Sequence, residues 1–261
     1  NPNVFPSATT TFYVITTNDT CSGLDSVTVN VNAAPIIEAG NDIQICIGDS
    51  AQLLAIGGIS YFWTPSVTLT DDTIANPMAF PTDTAEYIVN ATDINGCASS
   101  DTVSVIVNPL PSAFAGSDVT ICFGDTTILT ATGGLSYSWS PIDSLSNSLN
   151  DITQAFPIIT TEYIATVIDT NGCVQSDSIV VTVNELPNGD AIEDLAICIG
   201  DSTQLNATGG DTYVWTPITD LSNPNIADPW ATSIATTNYV VLVTDINGCT
   251  IMSTIVLNEP A

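Results

Sequence analysis

Between residues 49 and 57 apolar and polar side chains alternate, placing Leu53 and Ala55 on one face, and the alternation returns as Leu129/Ala131 and Leu205/Ala207. A period of two marks a half-buried strand. A following run alternates Tyr61/Trp63, Tyr137/Trp139 and Tyr213/Trp215 and stops at Pro65, Pro141 and Pro217. Later, Tyr87-Val89-Ala91 alternates inward, Asn95-Gly96 follows, and Val103-Val105-Val107 alternates back. The runs are rich in Thr, Val and Ile, are broken by Gly, Pro, Asn and Asp, and carry no apolar stripe at helical spacing. The chain therefore reads as all-β. Asn-Gly between alternating runs predicts a hairpin on a type I′ turn, with positive φ at both residues. Asn171-Gly172 and Asn247-Gly248 predict the same turn.

These runs recur every 76 residues, as ICIGDS at 45, ICFGDT at 121 and ICIGDS at 197 show. The Trp, Tyr and Gly-Gly positions keep that period, and so do the NGC turns ending at Cys97, Cys173 and Cys249. Self-similarity of this length marks a tandem array. The joints VNAAP, VNPLP and VNELP place boundaries near 33/34, 109/110 and 185/186. The expected domains are 34–109, 110–185 and 186–261, preceded by 1–33 as the last part of another repeat. The joints contain Pro and no Gly/Ser run, which favours semi-rigid linkers. The first residues, NPNVFPSATTT, hold no start Met and no signal region, so the natural N-terminus is expected upstream.

Composition then narrows the chemistry. The 261 residues include 28 Asp plus Glu and no Lys, Arg or His, for a net charge of -28. A His base, a Lys nucleophile, an Arg phosphate clamp and a Ser-His-Asp triad are all ruled out. Nucleic-acid binding, which needs cations to displace counterions, is ruled out with them. At 44% hydrophobic residues the chain is too apolar for a disordered acidic tail. It has no apolar run of about 18 residues to span a membrane as a helix. Its carboxylates have no cationic side chains to pair with, so their repulsion falls to the salt of the medium, and a protease cutting after Lys or Arg finds no site.

GDSAQLLA resembles the opening of strand B of an immunoglobulin-type sandwich, YFW its strand C with the core Trp, and DTAEYIV its strand F with the tyrosine corner. The whole repeat, from ICIGDS through YFWTP and EYIVNATDINGC to VIVNPLP, resembles the PKD-like/Ig-like tandem repeats of giant cell-surface adhesins of gliding, type IX-secreting bacteria of the Bacteroidota type. The likeness covers essentially all of the chain. It implies an array of Ig-like β-sandwich domains, an extracellular, cell-surface location and no enzymatic role. There is a departure. The positions of the inter-sheet disulfide of antibody-type domains hold Ala55/Val89, Ala131/Ala165 and Ala207/Val241, and YFWTP lacks the WDFGDG-like segment of many PKD domains.

Seven cysteines on a strict repeat, with no CxxC pair and no His, point to disulfides in a secreted protein. The default pairing stays within repeats, as Cys46-Cys97, Cys122-Cys173 and Cys198-Cys249, leaving Cys21 to a partner upstream. The strand reading favours another. If strand B runs from Asp49 to Gly57 and strand F from Tyr87 to Asn95, each about 25 Å long, Cys46 and Cys97 lie at opposite ends of the sandwich. Bonded cysteines need Cα atoms within about 7 Å. Pairing Cys46 with Cys173 and Cys122 with Cys249, from one repeat to the next, meets that limit in a head-to-tail rod, with Cys21, Cys97 and Cys198 pairing outside the window.

Weaker signals remain. Asp93/Asn95, Asp169/Asn171 and Asp245/Asn247 could be read as fragments of a calcium loop, with Asp49, Asp125 and Asp201 as recurring acids nearby, or as hairpin chemistry, since further carboxylates at fixed spacing are missing. No cofactor other than calcium is suggested. Asp followed by Ser or Thr and then by an aliphatic residue or Thr marks Ser26, Ser50, Thr73, Thr84, Thr102, Thr126, Ser144, Ser178 and Ser202, which resemble the O-glycosylation signal of the same bacterial phylum; Asp-Ser and Asp-Thr are also ordinary turn pairs. Sequons at Asn18, Asn90 and Asn206 matter only in a eukaryotic host. Trp63, Trp139 and Trp215 alternate in register with the apolar face and are expected in cores, whereas Trp230 has Met78 and Gln154 as counterparts and is the candidate for a repeat-specific contact. The expected function is a structural stalk or filament of a surface adhesin. Its expected partners are neighbouring repeats of the chain, other copies in a filament, or a surface polysaccharide. The alternative is a binding or spacer module attached to a secreted hydrolase.

Overall fold

A computed structural model describes residues 2–191, 194–232 and 234–258. The outer ends of the first and last expected domains, at 1 and 261, lie outside the described residues. Every regular element described is a strand, and no helix is long and apolar enough to cross a membrane. The first strands are β1 (Thr10–Thr17) and β2 (Ser22–Val29). Then come β3 (Ile43–Cys46), β4 (Ala51–Gln52), β5 (Ser60–Thr64), β6 (Met78–Ala79), β7 (Ala85–Thr92) and β8 (Ala98–Asn108). The next six are β9 (Val119–Cys122), β10 (Thr127–Thr130), β11 (Ser136–Ser140), β12 (Ile152–Ala155), β13 (Thr161–Ile168) and β14 (Val174–Asn184). The last six are β15 (Leu195–Ala196), β16 (Thr203–Gln204), β17 (Thr212–Thr216), β18 (Trp230–Ala231), β19 (Thr237–Thr244) and β20 (Thr250–Asn258).

The chain folds as two compact units, one of Asn1–Leu110 with Thr170–Cys173 and the other of Pro111–Asp169 with Val174–Ala261. In the first unit, β3-β8-β7-β5 form one sheet and β4-β6 the core of a second. Isolated bridges widen the second sheet on both sides, Glu38 with Ile56 and Leu69 with Ala79. The segment before β3 thus starts in one sheet and crosses to the other, where β3 runs parallel to β8 with Ile43 beside Val105 and Cys46 beside Asn108. In the second unit β9-β14-β13-β11 faces β10-β12, and β15-β20-β19-β17 faces β16-β18. These are immunoglobulin-like sandwiches.

The cores follow the alternation of the sequence. Leu53, Trp63, Tyr87, Val89 and Val105 are fully buried in the first sandwich, as are Leu129, Tyr163 and Val181, and Leu205, Trp215, Tyr239 and Leu257, in the others. Each indole hands its one polar atom to a main-chain carbonyl, with Trp63 Nε1 donating to Ile74 at 2.9 Å, Trp139 to Asn150 at 3.0 Å and Trp215 to Ile226 at 2.9 Å. That satisfies the donor at no cost to packing. Gly57 shows why the Gly-Gly pair recurs: its φ is 98°, and a Cβ there would lie 1.9 Å from the Ile36 carbonyl oxygen.

Two local expectations are corrected. The NGC hairpins do not use type I′ turns, because positive φ falls on Gly96 and Gly248 and not on Asn95 or Asn247. Instead Gly96 N–H donates to the Asp93 carbonyl at 3.1 Å and Asp93 N–H to the Cys97 carbonyl at 3.0 Å, a three-residue loop closed by a left-handed Gly. The Asp side chain decides the outcome: Asp93 Oδ1 accepts from the N–H groups of Asn95 (2.9 Å) and Cys97 (2.8 Å). Asp245 makes the same pair of bonds to Asn247 and Cys249. The strand expected from Asp49 to Gly57 is also shorter, only Ala51–Gln52 being regular, although Leu53 and Ala55 N–H go on to donate to Pro77 and Ala75 carbonyls.

Candidate functional site

The residues with a distinctive chemistry are the cysteines, and their placement follows from the strands. Cys46 ends β3 beside Asn108, the last residue of β8, whereas Cys97 precedes Ala98, the first. Eleven strand residues separate those ends, about 35 Å at roughly 3.3 Å per residue. A bond between Cys46 and Cys97 is therefore out of reach.

The structure instead joins Cys46 to Cys173, with Cα atoms 5.6 Å apart, and Cys122 to Cys249, also at 5.6 Å. Both bonds span a sequence separation of 127. In each, a strand-end cysteine meets a hairpin cysteine belonging to the next sequence repeat. The first bond lies inside the first compact unit, which includes Thr170–Cys173, and the second inside the other. Cys173 and Cys249 are fully buried. Cys21 and Cys198 are exposed and Cys97 is half-buried, and none of the three carries a disulfide.

The acidic residues form a different kind of site. Asp101 Oδ2 accepts from Ala39 N–H at 2.8 Å and Asp42 Oδ1 from Ser104 N–H at 2.9 Å, so the two carboxylates lash the crossing segment to β8. Asp177 and Asp118 repeat this with Ala115 and Val180. Near the C-terminal end Asp194 accepts from Val256, and Ser253 takes the place of the other Asp. The signal that could have revealed these lashes is the 62-residue spacing, constant in every pair. Hydrogen bonding lowers three carboxylate pKa values: Asp71 through Thr73, Asp93 chiefly through the Cys97 N–H, and Asp101 chiefly through the Ala39 N–H.

Asp93 and Asp245 thus spend an oxygen on their own turns. Among the described residues no three Asp, Glu, Cys or His side chains converge as a metal site would require. Of the nine O-glycosylation candidates, Ser26, Ser50, Thr73, Thr84, Thr102, Thr126, Ser178 and Ser202 are exposed and Ser144 is half-buried. Trp230 is 50% exposed and pairs with Gln204, beside a groove lined by Gln204, Asn206 and Asp228.

The tyrosines were only partly legible. Tyr87 Oη bonds Thr68 Oγ1 at 2.6 Å rather than the main chain, while Tyr163 Oη is buried without a partner. Burial, and then the charge of Asp143, raises the Tyr163 pKa. The bond from a Tyr hydroxyl to the main chain is made two strands earlier, where Tyr61, Tyr137 and Tyr213 each donate to the Gly carbonyl three residues back at 2.8 Å.

No protein-family profile matches the chain, and no curated protein does. Solved structures similar to it include the eight N-terminal Ig domains of Down Syndrome Cell Adhesion Molecule, at 16% identity and TM-score 0.39 over 98% of this chain and 41% of that one. Extracellular domains 3–5 of Drosophila OTK align at 8% identity and TM-score 0.36 over 87% of this chain and 96% of that one. The I9–I11 tandem of titin aligns at 10% identity and TM-score 0.35 over 86% and 100%.

Proposed function

We propose that this chain is part of an extracellular structural stalk, an array of Ig-like repeats whose work is length and stiffness for surface attachment. The observation that carries the reading is the pair of disulfides, each joining a strand end in one sequence repeat to the hairpin of the next. A chain of independent binding domains has no use for such bonds, and disulfides of this kind belong to an oxidising exterior. The total absence of Lys, Arg and His supports the same reading, since it removes the side chains on which most catalysis relies. The bacterial, type IX-secreted setting, the gliding role, the O-glycans on the exposed Asp-Ser/Thr positions and a division into domains at 33/34, 109/110 and 185/186 belong to this proposal.

Electron microscopy of longer arrays tests it. Particle length should rise linearly with the number of 76-residue repeats, and globular particles whose length does not rise would overturn the stalk. A second reading, a sugar-binding module on a surface hydrolase, is favoured by Trp230 alone, half-exposed beside Gln204. Titration with polysaccharides, followed by Trp fluorescence in the parent and in Trp230→Ala, separates the two.

A further inference from the structure

We infer that the two disulfides act as bypasses around the linkers, so that the chain survives a single backbone cut as one covalent object. The linkers are the places most open to cutting. β8 ends at Asn108 and β14 at Asn184, and the residues that follow, Pro109-Leu110 and Glu185-Leu186, are exposed and belong to no strand. The joint at 109/110 lies inside the loop closed by Cys46-Cys173, and the joint at 185/186 inside the loop closed by Cys122-Cys249. Bonds within repeats would have stopped at Cys97 and Cys173, ahead of each joint.

The loops also interlock, because Cys122 falls inside the first and Cys173 inside the second. A cut anywhere from 46 to 249 therefore leaves both fragments tied, and between 122 and 173 they are tied twice. This follows from the connectivity alone and does not depend on the stalk reading. A compact protein with these bonds would show it equally, and a stalk without them would not.

The lack of Lys and Arg makes a clean experiment available. Pro109→Lys and Glu185→Lys, made separately in the full chain, each create one site for a protease that cuts after Lys. After digestion the expected result is a single species of full mass on a denaturing gel without reductant, separating into two fragments when reductant is added. In a Cys46→Ala/Cys173→Ala background the cut at 109 should release fragments without reductant, while the cut at 185 should still need it. Release from either single-Lys chain without reductant would overturn the inference. So would a Cys46→Ala/Cys173→Ala chain that stays joined after the cut at 109.

Discussion

The molecule contains the same kind of hairpin in two settings. β7 and β8 pair Tyr87 with Val103 and Ala85 with Val105, and a second sheet covers this face, leaving Tyr87, Val103 and Val105 at most 1% exposed. β1 and β2 pair just as regularly over eight residues, Phe12 with Val27 and Thr10 with Val29, yet Val27 is 62% exposed and Val14 55%. Main-chain pairing is thus available to either hairpin from local signals alone. What the second sheet adds is the removal of apolar area from water, worth roughly 25 cal/mol per Å², without which a two-stranded hairpin is marginal.

Substitutions can break that contrast. The largest effect is expected at Trp63→Ala, which empties the centre of the covered sandwich and should cost about 3–5 kcal/mol in chemical denaturation; Phe12→Ala in the open hairpin should cost less than about 1 kcal/mol. Similar losses at both positions would mean that the open hairpin is buried in solution. Next comes Gly57→Ala, which must find room against the Ile36 carbonyl at 1.9 Å and hold φ at 98°. It should cost about 2 kcal/mol or more, against about 1 kcal/mol for Gly48→Ala, whose Cβ meets nothing within 4 Å. Thermal melts of the two variants provide the check.

Smaller effects sharpen the comparison. Tyr87→Phe loses the bond to Thr68 and should cost about 1 kcal/mol. Tyr163→Phe removes a hydroxyl with no partner and should be neutral or stabilising. The smallest effect concerns acid. Because the Asp101 pKa is lowered in the folded chain, its contribution is present above the unfolded value of about 3.9 and is lost as pH falls through the folded value. Asp101→Asn should therefore be less stable than the parent at pH 6, with the gap narrowing as pH falls below the ordinary carboxylate range. A gap that does not narrow as acid is added would show that the Ala39 contact does not depend on the charge.

The sequence displayed the strands through alternation and the core through the recurring Trp, Tyr and Leu, because burial is a property of faces and faces have a period. It did not display the turn at Asn95-Gly96, where a neighbouring Asp outbids the dipeptide by bonding two N–H groups. Nor did it display the crossing of the segment before β3 from one sheet to the other, since that path is held by Asp42, Asp101 and a close approach at Gly57, none of which leaves a hydrophobic pattern. The cysteine geometry was legible from strand length, which placed Cys46 and Cys97 at opposite ends and, with repeats set head to tail, pointed to Cys173, in a hairpin more than a hundred residues away, as the partner that Cys46 has.

The lashes made by Asp42, Asp101, Asp118 and Asp177 bond to main-chain N–H groups, in a chain without a single Lys, Arg or His side chain. In most proteins dissolved salt both screens repulsion between like charges and weakens attractive ion pairs. Here there is no attraction between side chains of opposite charge for it to weaken, so the screening of like charges dominates. The fold should be more stable in brine than in fresh water, with most of the gain made before about 1 M salt.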